Sequence, residues 1–191
     1  MKIRKAETTD LKRVEYICKM TADEKSQTEE KAGKIISTIY SAYYIKEEAE
    51  NAFVLEDDGL VVGYIVCAKN YKDYSKRFRK IYAEEVKKLD FSAGIFAKVL
   101  PLTYLVFSKK YPAHLHINLL PGYQGKSYGT EMIKALENHL ISEGVKGVVL
   151  MANKENIGAI RFYKRNGFKK IFSAFGGVVM AKNLNLKTNF S

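Results

Sequence analysis

The stretch "LLPGYQGKSYGTEMI", residues 119–133, decides the fold. It closes an apolar run, turns at Pro121-Gly122, crosses a loop of small residues and opens a segment of helical periodicity. Within it lie Gly125-Lys126-Ser127, the last three residues of a P-loop. A P-loop requires G-x-x-x-x-G-K-[ST], and five positions before Gly125 stands Leu120. Such a site also needs a strand ending in a carboxylate that holds magnesium. Here the next apolar run, Val148-Val149-Leu150-Met151, leads into Ala152-Asn153. A magnesium triphosphate site therefore fails on two counts.

The anion-binding physics outlives that failure. The first amides of a helix have no intrahelical acceptor and point outward. The helix dipole adds roughly half a positive charge there. Small residues let an anion approach the main chain. The segment Gln124-Gly125-Lys126-Ser127-Tyr128-Gly129-Thr130 is thus suited to a phosphate or pyrophosphate held without metal, with Lys126 adding charge at the rim.

Outward from this loop, "AHLHINLL" reads as a strand and the segment from Ser127 as a helix with Tyr128, Met132, Ile133, Leu136 and Leu140 on one stripe. "VKGVVLMAN" is a short buried strand. "IGAIRFYKRN" is a helix, with Gly167 where a left-handed cap belongs. "FKKIFSAFGGVVMAKNL" predicts two strands broken at Gly176-Gly177. Towards the N-terminus, "MKIRKA" predicts a strand, then a helix capped by Thr9 or Asp10. A second helix follows, with Ile35, Ile36, Ile39, Tyr40 and Tyr43 on one face. Asp57-Asp58-Gly59 marks a hairpin turn. Residues 71–110 are helix-like, with a break expected near Phe91-Ser92-Ala93-Gly94. The order predicts one α/β (α+β) domain over 1–191 around a single mixed sheet, with 71–110 as a helical insertion.

The 191 residues include 32 basic and 21 acidic side chains, a formal charge of +11. That balance favours an anionic partner: nucleic acid, a membrane surface or a phosphorylated cofactor. The segment 71–110 is itself basic, with ten Lys and Arg against four Asp and Glu. No run of 18 apolar residues predicts a membrane span. Cys18 and Cys67 match no metal or redox spacing and read as reduced thiols in a cytoplasmic protein.

Two separated elements carry a resemblance. Gln124-Gly125-Lys126-Ser127-Tyr128-Gly129 resembles the [QR]-x-x-G-x-[GA] signature of the GNAT superfamily of acetyl-CoA-dependent N-acyltransferases. Asn156, Ala159, Phe162, Tyr163, Gly167 and Phe168 match that superfamily's N-x-x-A-x-x-F-Y-x-x-x-G-F element at the expected separation. "YPAHLHINLLPGYQGKSYG" is also similar to a bacterial subgroup related to the acetyltransferase-like domain joined to some O-GlcNAc hydrolases. The resemblance implies a twisted, mostly antiparallel mixed sheet and direct acetyl transfer from acetyl-CoA to an amine. It implies no metal. The amides of Gln124, Gly125, Lys126, Ser127, Tyr128, Gly129 and Thr130 would bind the pyrophosphate. Leu119 and Leu120 would run beside the pantetheine arm, and Asn156, Ala159 and Phe162 would flank it. Two departures stand out: Ser127 replaces the usual glycine, and Asn118 stands where the subgroup leads one to expect Asp.

The resemblance makes Tyr163 the acid that protonates the departing thiolate. A phenol titrates near 10 and a thiol near 8.5, so the site must perturb one of them. For the amine, alternation puts His114, His116 and Asn118 on one strand face. His116 is the candidate base because it lies nearer the loop; His114 and a water remain alternatives. His139 is expected on the surface. The 71–110 aromatics are expected to shape acceptor choice or an oligomer contact. The expected partner is a small-molecule or peptide amine, with no membrane and no nucleic acid; a homodimer stays open. A non-catalytic acyl-CoA sensor on the same fold is the alternative reading.

Overall fold

A computed structural model describes residues 1–174 and 176–184. Phe175 of the expected last hairpin and residues 185–191 of the expected domain lie outside it. Seven strands form one sheet in the order β1-β2-β3-β4-β5-β7-β6. They are β1 (Lys2–Lys5), β2 (Phe53–Asp57), β3 (Leu60–Ala68), β4 (Ala113–Leu119), β5 (Gly147–Asn153), β6 (Lys169–Ala174) and β7 (Gly177–Asn183). All neighbours pair antiparallel except β4 and β5, which run parallel. The expected mixed, mostly antiparallel α/β architecture is therefore observed.

The helices are α1 (Leu11–Met20), α2 (Glu24–Thr28), α3 (Glu30–Ser37), α4 (Tyr43–Glu47), α5 (Tyr71–Lys80), α6 (Tyr82–Leu89), α7 (Phe91–Val99), α8 (Tyr128–Ser142) and α9 (Ile157–Arg165). Strand alternation divides the interior into two cores. Val54, Tyr64, Val66 and Val149 face a core with Val14, Ile17, Tyr43, Tyr44 and the residues of α5–α7. Leu55, Ile65, Leu115 and Leu150 face the other, with Met132, Ile133, Leu136 and Leu140 of α8. Each fully buried side chain of that α8 stripe contributes about 2 kcal/mol.

Four local expectations are corrected. The second helix is not continuous: α3 passes through a π-helical turn, Thr38–Ala42, before α4. The hydroxyls of Ser37, Thr38 and Ser41 all bond back to carbonyls three or four residues earlier, which loosens the helical ladder. Residues 91–94 are the first turn of α7, not a break. The breaks fall at Ile81 and at Asp90, whose carboxylate caps α7 through the Ala93 amide at 3.0 Å. Gly94 instead permits the close crossing of α7 on Lys87 of α6, where a Cβ would overlap main chain. Asp10 does precede α1, but its carboxylate accepts from the Glu7 amide and the Arg4 guanidinium rather than capping α1. His139 is half-buried, held by Asn51 at 2.8 Å, rather than on the surface.

The feature that positions the site is the brevity of the parallel pairing. β4 and β5 meet only at Ala113–Val148 and His114–Val149. Beyond that point the strands separate, leaving β4 from Leu115 to Leu119 unpaired on that side.

Candidate active site

The Leu120 amide donates to the Val62 carbonyl at 2.9 Å, so the even residues of β4 bond towards β3. The main-chain groups of Leu115, Ile117 and Leu119 therefore face the gap towards β5. The Leu120 amide, expected beside the cofactor arm, is already committed.

At the end of β4 the chain turns through Gly122 (φ +90°), Gly125 (φ +74°) and Ser127 (φ +66°). All three are left-handed, and Ser127 is the N-cap of α8 without a side-chain cap bond. Its Cβ costs about 1 kcal/mol there relative to glycine. The Gln124 side chain folds back onto the Leu119 carbonyl at 2.8 Å and braces the loop. Six consecutive amides, from Gln124 to Gly129, have no acceptor among the described residues. The seventh expected amide, that of Thr130, donates to the Ser127 carbonyl at 2.9 Å. Gly129 lies against the Phe162 ring, where a Cβ would come within 3.0 Å; this brings α8 and α9 together beside the loop.

A cleft of about 630 Å³ opens at these amides. It is lined by Leu119, Gln124, Gly125, Ser127, Gly129, Thr130, Ala159 and Phe162, and also by Arg165. Lys126, Tyr128 and Leu120 do not line it. Arg165 was not singled out from sequence, because a basic residue in the last helical turn ordinarily only complements the dipole. Asn156 caps α9, its Oδ1 accepting from the Ala159 amide at 2.9 Å. That leaves its Nδ2 as the group available to the cleft.

A second cavity, of about 620 Å³, lies on the other side. Ile117, Asn118, Asn156, Ala159 and Tyr163 line both. Tyr163 is thus at the junction, 9% exposed rather than on a helix surface. Burial pushes its phenol well above the ordinary value. Asn118 donates through Nδ2 to the Tyr64 hydroxyl at 2.7 Å, which fixes its amide plane. Its Oδ1 has no donor among the described residues.

His114, His116 and Asn118 do share one face, and the two imidazoles touch at 4.7 Å between centroids. Tyr40 and Tyr44 sit edge-on to His116 at 5.3 and 5.5 Å. Burial lowers the His116 pKa to about 4, and burial beside His116 holds that of His114 well below its ordinary value. Both rings are neutral at pH 7. The aromatics Tyr71, Tyr74, Phe96 and Tyr104 of the 71–110 segment form the far wall of this cavity.

The site thus consists of a splayed parallel pair, a cradle of amides without acceptors and a buried phenol between two cavities. The acetyltransferase (GNAT) family model matches residues 14–168. The chain belongs to that family. It is 26% identical over 146 residues to an uncharacterized N-acetyltransferase of Methanocaldococcus jannaschii, covering 76% of this chain and 50% of that protein. It thus spans about half the length of that curated relative. Among solved structures, SsHAT superposes with a TM-score of 0.86 at 27% identity, over 96% of this chain and 98% of that one. The PaiA N-acetyltransferase of Thermoplasma acidophilum, solved in complex with coenzyme A, shares the fold. Its TM-score is 0.62 at 17% identity, covering 95% and 98% of the two chains. Among the described residues no helix is long and apolar enough to cross a membrane.

Proposed function

We propose that this GNAT chain is an acetyl-CoA-dependent N-acetyltransferase acting on a small-molecule or peptide amine. The observation that carries the reading is the run of amides from Gln124 to Gly129 without acceptors, opening on a cleft that meets a second cavity at Tyr163. Amides that converge without partners suit a diphosphate, and the Leu119 and Ile117 main-chain edge suits an amide-bearing arm. Arg165, together with Lys126 at the loop, supplies positive charge for the cofactor's phosphates. Acetyl-CoA supplies an activated acyl carbon.

The residues divide the remaining work. The acceptor nitrogen forms the new C–N bond as the C–S bond breaks. Asn118 Oδ1, held by Tyr64, accepts a hydrogen bond from the amine and aligns its lone pair. Tyr163 donates its proton to the departing sulfur. Burial raises the phenol, but it raises a thiol in the same place too, because both anions lose water. The adduct's surplus amine proton leaves through His116 or a water and restores the pool from which Tyr163 is reprotonated. His116 serves as a neutral acceptor for a proton already made acidic by the adduct, not as a base strong enough to deprotonate a free ammonium.

Calorimetry with coenzyme A, and thiol release from acetyl-CoA with a panel of amines, test the proposal. No measurable affinity for coenzyme A would remove it. The neutral Asn118 and the weakly basic His116 favour one alternative, an acyl-CoA sensor on the same fold; it would bind the cofactor and release no thiol with any amine. We read 1–191 as one acyltransferase domain with 71–110 inserted into it, and the buried free thiols Cys18 and Cys67 accord with a cytoplasmic setting. The kinship to the O-GlcNAc-hydrolase-associated subgroup rests on residues 111–129.

A further inference from the structure

The cavity on the histidine side has an unusual charge balance for a chain of net charge +11. Among the described residues its lining contains no Asp, Glu, Lys or Arg. The wall is aromatic and aliphatic, from Tyr40 and Ile39 on the π-helical turn to Tyr71, Tyr74 and Tyr104 opposite. The rim continues this character: Phe96 and Val99 line the cavity and are 51% and 54% exposed. At the deep end stands His114, 3% exposed. Its Nδ1 lies 3.0 Å from the Tyr44 hydroxyl, and its Nε2 is the one buried side-chain polar atom among the described residues that lacks a partner.

A fixed second cation on a substrate would lose its hydration here and meet no carboxylate, a cost of several kcal/mol. The tyrosine rings return about 2 kcal/mol by cation–π attraction to a desolvated cation, short of that cost. A carboxylate-bearing amine would meet no cation either. An orphaned imidazole nitrogen, by contrast, gains from any neutral hydrogen-bonding group brought to it. His114 and Asn118 are four residues apart on one strand, roughly 13 Å along the backbone. That span accommodates a single six-membered ring with a short arm.

We propose that the acceptor is a primary amine on an uncharged, aromatic or apolar body, with a neutral hydrogen-bonding group at its far end that meets His114 Nε2. The proposal rests on the acyl-transfer reading and names the amine that its acceptor cavity takes. The amine reacts as the free base at the Asn118–Tyr163 end, the body lies among Tyr71, Tyr74 and Tyr104, and entry is over Phe96 and Val99.

The test uses the full chain with four probes: tyramine, 2-phenylethylamine, agmatine and free lysine. Thiol release at saturating acetyl-CoA gives kcat/KM, and calorimetry on the coenzyme A-loaded protein gives affinity without turnover. Tyramine is expected to lead 2-phenylethylamine by about 10-fold, the worth of one hydrogen bond to a buried group. Agmatine and lysine are expected at least about 100-fold below tyramine. Val99→Asp, at the exposed rim, should narrow the gap between tyramine and agmatine by about 10-fold. Agmatine or lysine equal to tyramine overturns the proposal, as does tyramine no better than 2-phenylethylamine, or no binding by any probe. Tyramine binding in the expected rank without thiol release would leave the acceptor class standing and remove the transferase reading instead.

Discussion

The two walls of the cleft offer a ligand opposite means of recognition. The wall at residues 122–129 presents main chain: amides without acceptors, left-handed at three positions, with the Gln124 side chain turned inward to brace the loop. The wall opposite presents side chains: tyrosines packed ring on ring, such as Tyr44 on Tyr74 at 5.4 Å, around the buried His114 and the half-buried His116. A main-chain wall is defined by φ and by what is small enough to stay out of the way. A side-chain wall is defined by composition, so its chemistry can change without touching the fold. Cofactor use and acceptor choice are therefore separable here, and substitutions can try to couple them.

The largest effect is expected at the residue the walls share. On the proposed mechanism Tyr163→Phe removes the proton donor and keeps the ring, so kcat should fall about 10²–10⁴-fold. Coenzyme A affinity, measured by calorimetry, should stay within about threefold, since no described bond to Tyr163 holds the loop. Unchanged kcat would move the proton delivery to water. Next comes Gly125→Pro. Proline cannot reach φ +74° and removes one cradle amide. Coenzyme A affinity should weaken by about 100-fold. No neighbour crowds the position, but the loop must give up its left-handed turn, so the thermal midpoint should fall by roughly 5–10 °C. A loss of amine affinity in the loaded protein of the same size would break the separation of the walls.

This contrast also explains what could be read from sequence. The cofactor wall was legible because a backbone site has few solutions: small residues at fixed spacing, then a helix. Asn156, Ala159, Phe162 and Gly129 belong to it because α8 and α9 must approach closely. The seven strands were legible from alternation and turns. The acceptor wall was half legible. Alternation put His114, His116 and Asn118 on one face, but His114 is covered by Tyr44, Tyr71, Tyr74 and Tyr104 and His116 by Tyr40 and Tyr44, all far away in the chain. Burial, in turn, is what makes His116 a poor base. The π-helical turn and the breaks at Ile81 and Asp90 escaped notice because hydroxyl back-bonds and a capping aspartate leave apolar periodicity intact.

The buried imidazoles give the side-chain wall its own pH signature. His116 titrates at about 4, below an unfolded value near 6.5, and burial likewise holds His114 well below that value. Between those values the unfolded chain binds more protons, so stability is full above pH 6.5 and is lost as pH falls towards 4. The thermal midpoint should drop by roughly 5–10 °C from pH 7 to pH 5. Over pH 5–8 neither ring changes charge in the folded protein. The value of kcat/KM should therefore rise about tenfold per pH unit, following the acceptor's own free-base fraction. A break near pH 6.5 would mean that an imidazole titrates in the loaded enzyme after all.

The finest distinction lies at Ser127, where the main-chain wall carries a side chain. Its φ of +66° costs about 1 kcal/mol for a residue with a Cβ, and its hydroxyl makes no cap bond that offsets this. Glycine would relieve the strain and add back part of that cost as unfolded-state entropy. Ser127→Gly should thus raise the thermal midpoint by no more than about 2–4 °C. Coenzyme A affinity should stay within about threefold, because the Ser127 amide keeps its direction. Ser127→Ala keeps the strain and deletes only the hydroxyl, so it should match the parent in both measurements. If the alanine and glycine variants both lose about tenfold in affinity, the hydroxyl is a phosphate ligand and the wall is not purely main chain. If glycine gains affinity and alanine does not, the Cβ has been narrowing the approach to the amides all along.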